Sequence, residues 1–226
     1  MPRRALADKR PFLLLSVAAA LLYFYLRIGD FPEYFLWPLK GSACALLAVY
    51  AYLRHSSRDA RLVALMMAIA ALADMAIEFD IKAGAAIFFV YHCAALVLYL
   101  RNKRPVLAPS QKGAVAALLL GTPIVGYLLY PEQVAAIYAL ALGAMAAAAW
   151  ASNFPRYRVG AGAVLFVISD WLIFAGMGPL ARSPVVENMV WPIYYLGQFL
   201  ITVGIVTTLR KRDPELRVVR SGSVSV

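Results

Sequence analysis

The sequence predicts an all-α, polytopic membrane bundle of about eight transmembrane helices, with both termini in the cytoplasm. Three observations predict it. The 226 residues are 63% hydrophobic and only 15% charged, with mean hydropathy +0.72. Soluble domains carry about a quarter charged residues. Apolar runs of about 20 residues, long enough to cross a bilayer core as helices, recur along the chain. The basic residues cluster between alternate runs.

The first run, 12–28, follows a basic start and looks like a signal peptide. However, Phe12–Leu26 has no small-x-small exit before Arg27, and seven more runs follow. It is expected to be a retained first helix. The next three runs are 35–53, 62–78 and 83–100. The fifth and sixth, 112–130 and 133–150, divide at Tyr130-Pro131-Glu132, where proline suits a turn between antiparallel helices. The last two are 158–177 and 190–209. This reading makes 1–11 a basic cytoplasmic N-terminus, 12–209 the transmembrane domain, and 210–226 a polar, disordered cytoplasmic tail. Ala144–Ala149 reads as close helix packing through small residues.

Eighteen of the 22 lysines and arginines fall at the N-terminus, after the second, fourth and sixth runs, and at the C-terminus. The opposite loops carry Asp30, Glu33, Glu78, Asp80, Glu132 and Glu187. The positive-inside rule then places both termini in the cytoplasm and requires an even helix count. The expected location is the cell inner membrane. A net charge of +10 distributed in this way belongs to loops, so no nucleic-acid partner is expected. Cys44 and Cys93 lie inside apolar runs, which argues against a disulfide framework. With only His55 and His92, no multi-histidine metal centre can be built.

Ionised side chains are expensive at the bilayer centre, roughly 2.5–3.5 kcal/mol on insertion scales. Asp74 lies 13 residues after Arg61, and Asp170 lies 12 after Arg158. At about 1.5 Å per residue, both stand roughly 18–20 Å from the cytoplasmic edge. The same counting puts Lys40, His92, Tyr138, Tyr195 and Gln198 in the outer half. Gly162, Phe166 and Asp170 share one helix face, bordered by Ser169. Asp74 and Glu78 share another, and Tyr195, Gln198 and Thr202 a third. The expectation is a polar cleft open to the non-cytoplasmic side. Each residue also has a plainer reading. A membrane aspartate can simply pair with a lysine, and Glu78 can mark the membrane boundary. His92 can be a packing residue, and Lys40 can snorkel outward. The tyrosines and Trp37, Trp171 and Trp191 can be interface anchors.

The stretch Gly162-Ala163-Val164-Leu165-Phe166-Val167-Ile168-Ser169-Asp170 resembles the GA-x-x-F-x-x-SD signature of the YhhN family of membrane lysoplasmalogenases. Tyr194-Tyr195-Leu196-Gly197-Gln198 is similar to that family's YY-x-x-Q stretch. Ala73-Asp74, Ala83-Gly84, His92, Tyr138, Met145 and Pro38-Leu39-Lys40 fall where the family has matching features. The resemblance covers roughly residues 35–205. The chain departs from it at Ala73, where the family has glycine, and at Ala95, where it has tyrosine.

The resemblance implies an eight-helix fold and hydrolysis of the vinyl-ether bond of lysoplasmalogen, with no known cofactor requirement. The products would be a fatty aldehyde and a glycerophospho-ethanolamine or -choline, and the partner a membrane lysophospholipid. The chemistry suits the residues. Vinyl ethers hydrolyse by protonation at the β-carbon, giving an oxocarbenium ion that water captures. Two carboxyls in unequal surroundings can divide these roles, as in glycosidases. Asp74 and Asp170 are the expected catalytic pair. Lys40, Glu78, His92, Tyr138, Ser169, Tyr194, Tyr195 and Gln198 are the expected substrate-binding residues.

Two other classes stay open on the sequence. Intramembrane acids also build proton-coupled transporters, although no inverted repeat or matched broken helices are visible. A non-catalytic lipid-binding membrane protein is the second. A retinal photoreceptor is excluded, since the last two runs hold no lysine before Lys211. The sequence sets neither the true substrate nor an oligomeric state.

Overall fold

The structure, a computed structural model, describes residues 10–29 and 31–212. The remainder of the expected basic N-terminus and the tail beyond 212 lie outside the described residues. Eight α-helices occupy the described chain: α1 (Arg10–Leu26), α2 (Glu33–Arg54), α3 (Arg58–Ala76), α4 (Ile81–Arg101), α5 (Pro109–Leu129), α6 (Gln133–Ala151), α7 (Ala161–Met177) and α8 (Pro184–Arg212). A π-helical turn, Arg156–Gly160, leads into α7. Each helix overlaps one predicted apolar run.

Six segments are long and apolar enough to cross a membrane: α2, α4, α5, α6, the π turn with α7, and α8. The other two differ for identifiable reasons. α1 is apolar but has 17 residues. α3 carries Asp59, Arg61 and Asp74 within its 19 residues.

Local chemistry sets several boundaries. Ser57 Oγ accepts from the Ala60 N–H at 3.2 Å, and Asp80 Oδ1 from the Lys82 N–H at 2.9 Å. Both satisfy N–H groups that lack partners inside the first turn of a helix. Pro109 opens α5, where its missing N–H costs nothing. Arg210, Lys211 and Arg212 form the last turn of α8, three residues past the predicted edge. Cations there complement the exposed carbonyls.

Packing follows the membrane pattern. Large apolar side chains such as Leu14, Leu21, Leu65, Leu72, Leu120, Leu128 and Val134 face outward, while Ala43, Ala51, Ala60, Ala70, Ala73, Ala146 and Ala149 are buried. Lipid solvates the large side chains, so helix contact rewards small ones that bring backbones close. One such approach, reciprocal between two glycines, joins α7 to α8. A Cβ on Gly162 would sit 2.7 Å from the Gly197 carbonyl oxygen, and one on Gly197 the same distance from the Gly162 oxygen.

Helices α1 to α4 pack consecutively, but α4 then meets α6, not α5. α5 lies outside, against α6 and α7. α8 closes the bundle on α7, α2, α3 and α1. One end of the bundle bears Arg54, Arg58, Arg61, Arg101, Lys103 and Arg212, and will be called the basic end. It is tied by polar contacts. Asn102 Nδ2 donates to Asp59 Oδ2 at 2.8 Å, and Arg212 donates to Asn102 Oδ1 and to the Asn153 carbonyl at 3.2 and 2.9 Å. The opposite, acidic end bears Glu33, Glu78, Asp80, Glu132 and Glu187.

Candidate active site

A cavity of about 550 Å³ occupies the acidic end. Side chains from seven helices and from the α5–α6 turn line it. Its upper wall carries Arg27, Lys82, Tyr130 and Glu132; deeper lie Asp74, Asp170, Ser169, Tyr138 and Tyr194. Both aspartates therefore reach one space, Asp74 from α3 and Asp170 from α7. They are 2% and 4% exposed, so neither is held by bulk water.

Each carboxyl has its own tyrosine. Tyr138 Oη donates to Asp170 Oδ2 at 2.7 Å, and Tyr194 Oη donates to Asp74 Oδ2 at 2.9 Å. Ser169 Oγ stands 3.4 Å from the other Asp170 oxygen while donating to the Phe166 carbonyl at 2.7 Å. His92 Nε2 is 3.1 Å from the Tyr138 hydroxyl. Since Tyr138 gives its own proton to Asp170, Nε2–H is the donor in that contact. The result is a directed chain, His92 to Tyr138 to Asp170. Among the described residues, no hydrogen bond joins the two carboxyls directly.

An aromatic floor lies beneath the two acids. Phe166, one helical turn below Asp170, is its hub. Its ring centroid lies 5.2 Å from Tyr194, 5.1 Å from His92, 5.4 Å from Tyr91 and 5.6 Å from Phe88. Edge-on and tilted contacts of this kind hold rings in fixed orientation. Tyr91, His92 and Phe166 are buried, so the cavity ends at this layer.

The remaining predicted residues divide into those at the cavity and those behind it. Lys40 lines the cavity and forms an ion pair with Glu78. Glu78 also accepts from Tyr23 Oη at 3.3 Å. The membrane lysine thus pairs with Glu78, and Asp74 is held by Tyr194. Gln198 is buried behind the floor, accepting from Tyr91 Oη at 2.7 Å. Tyr195 points away from the cavity, its hydroxyl 2.7 Å from Ser16 Oγ. Ser16 commits its proton to the Ala43 carbonyl at 2.6 Å, so Tyr195 is the donor there. Tyr195 belongs to the α1–α8 contact.

Similarity to known sequences bears on the same residues. The sequence profile of the YhhN family matches residues 35–205. The chain belongs to the YhhN family. No curated protein and no solved structure shows significant similarity to it. In this YhhN chain the signature stretch has three distinct physical jobs. Gly162 admits the α8 backbone, Phe166 forms the floor, and Ser169 with Asp170 faces the cavity. The two tyrosines of the α8 stretch point to opposite sides, Tyr194 to Asp74 and Tyr195 to α1.

Several cavity residues escaped the sequence reading. Tyr23 and Arg27 come from α1 and the residue following it, before the family match begins. Lys82 comes from the first turn of α4. Tyr91, which backs the floor against Phe166, also escaped; its position beside the singled-out His92 was the available signal. Tyr23 offered no comparable cue, because a tyrosine near a helix end reads as an interface anchor.

Proposed function

We propose that this protein is an integral-membrane hydrolase that cleaves the vinyl-ether bond of lysoplasmalogen, or of a closely related lysolipid. The observation that carries this reading is the pair of buried aspartates lining one cavity from two helices, each bonded to a tyrosine hydroxyl. All eight helices cross the inner membrane in this reading, with both termini cytoplasmic and the cavity opening to the opposite side.

The proposed chemistry needs no group beyond the chain and water. One carboxylic acid, Asp74 or Asp170, transfers its proton to the β-carbon of the vinyl ether. The double bond's electrons form the new C–H bond, leaving an oxocarbenium ion at the α-carbon. The other carboxyl, as carboxylate, faces that cation and takes a proton from the attacking water. The resulting hemiacetal collapses to a fatty aldehyde and a free glycerol hydroxyl. The closed aromatic floor keeps water from reaching the cation from below, and buried carboxyls act more strongly there than in water. The geometry supports Tyr138 and Tyr194 as positioning residues for the two acids. His92 then acts through Tyr138, while Gln198 and Tyr195 serve packing.

The test uses the purified full-length protein in detergent with alkenyl-lysophosphatidylethanolamine and -choline. Wild type releases a long-chain aldehyde. Asp74→Asn and Asp170→Asn each lower the rate by about 10²–10⁴-fold, the range for losing a general acid or base. Both variants elute as folded monodisperse protein. Full activity in both variants, or no aldehyde from wild type, overturns the assignment.

A further inference from the structure

We propose that the cavity takes its lipid sideways, through a window between the α4 and α6 helices near the acidic end. The hydrocarbon chain lies in this window, and the phosphodiester sits at the cavity mouth against Arg27 and Lys82. This deepens the hydrolase reading and rests on it for the identity of the lipid.

Four observations lead there. First, the cavity has a closed floor. Phe166 and Tyr91 seal it one helical turn below Asp170. A fully extended chain of sixteen carbons is on the order of 20 Å long, four turns of helix. With its reacting carbons beside the carboxyls, such a chain cannot continue downward. It must leave through a wall.

Second, among the described residues, hydrogen bonds across the α4–α6 wall run only from the floor toward the basic end. His92 meets Tyr138 at 3.1 Å. Beyond it, Arg104 N donates to the Ala151 carbonyl at 3.0 Å, and Asn153 N donates to the Asn102 carbonyl at 2.7 Å. Toward the acidic end the facing residues line the cavity instead: Ala86 and Phe89 from α4, Val134 and Ile137 from α6.

Third, those residues suit an acyl chain. Val134 is 78% exposed and Ile137 61%, so they border both the cavity and the surroundings of the bundle. Apolar side chains at such a junction continue the lipid environment into the cavity, so a chain crossing there loses no apolar contact.

Fourth, the cations are placed for a phosphate. Only Arg27, Lys40, Lys82 and Arg182 of the basic residues lie outside the clusters that mark the basic side, and three of these four line the cavity. Lys40 is committed to Glu78. Arg27 uses Nη2 on the Glu187 carbonyl and Asn188 Oδ1, and its Nε is buried without a partner. Lys82 forms no ion pair among the described residues. Two cations with free donors, one just after α1 and one on α4, match a phosphodiester. Glu132 at the same mouth matches the ammonium of an ethanolamine or choline head group.

The test uses the full-length protein in nanodiscs and an uncleavable 1-O-alkyl lysophosphatidylcholine carrying a diazirine near the chain end. After illumination, peptide mapping locates the label. Labelling on α4 and α6 around Phe89 and Ile137 supports the window. Labelling confined to other helices, or none on the protein, overturns it. Arg27→Gln combined with Lys82→Gln lowers the labelling, while a matched 1-O-alkyl glycerol lacking the phosphate labels both proteins alike. Equal loss for both probes overturns the phosphate assignment. A second arm reads turnover. Ala86→Trp narrows the window and raises KM for a long-chain alkenyl substrate by about tenfold or more, and by a much smaller factor for a four-carbon analogue. Equal effects on both lengths overturn the window. Because the labelling arm involves no catalysis, it stands whether or not the wild type releases aldehyde.

Discussion

At the residue scale, the two aspartates differ from the polar groups around them in having no way to water except through the cavity. Each tyrosine holds one carboxylate oxygen, and Ser169 stands near the second oxygen of Asp170. This makes a sharp distinction among tyrosines that look alike in sequence. Tyr138→Phe removes the donor to Asp170 and strands His92, so turnover falls about ten- to hundredfold, with a stability loss of about 1–2 kcal/mol. Tyr195→Phe removes only the donor to Ser16, so it shifts thermal stability by a similar amount and leaves the rate within about twofold. Parallel aldehyde-release assays and melting curves on the two variants check this. A rate loss as large for Tyr195→Phe as for Tyr138→Phe would contradict the placement of these side chains.

At the scale of elements, the decisive contact is between α7 and α8. It brings Asp170 and Tyr194, from different helices, to the same space. Gly162 and Gly197 permit it because each faces the other's carbonyl oxygen at a distance no Cβ can share. Gly162→Leu therefore forces the helices apart, at a cost of about 1–3 kcal/mol from overpacking, and moves Asp170 relative to Tyr194 and the Asp74 that Tyr194 holds. Gly121 on α5 has open space at its Cβ position. Gly121→Ala is neutral or stabilises by up to about 1 kcal/mol, since alanine is the better helix former. Thermal unfolding in one detergent, with activity measured beside it, separates the two.

At the scale of the whole molecule, the two ends of the bundle are built differently. The basic end is closed by Asp59, Asn102, Asn153 and Arg212, while the acidic end holds the cavity and its three cations. The proposed topology fixes which end faces which compartment. In a background lacking Cys44 and Cys93, a cysteine at Glu132 or Lys82 reacts with a membrane-impermeant maleimide in intact cells. A cysteine at Lys103 or Asn153 reacts only after the membrane is opened. The reverse pattern would invert the orientation and put the cavity in the cytoplasmic half.

The sequence alone determined the helical class, the extent of each helix to within about six residues, and the presence of two acids, Asp74 and Asp170, inside the apolar runs. The reason is that lipid penalises every unsatisfied backbone group and every buried charge, so apolar runs must be helices and the rare acids inside them stand out. The grouping of Gly162, Phe166 and Asp170 was legible for the same kind of reason, since helical periodicity fixes which residues share a face. What the tertiary structure decided was the partners. Spacing along a helix gives a depth and a face, but the rotation of one helix against another depends on side-chain packing across many contacts. Only the fold could give Lys40 to Glu78, turn Tyr195 toward Ser16, set Gln198 behind Tyr91, and bring Tyr23 of the first helix and Arg27 just after it to a cavity lined by six other helices.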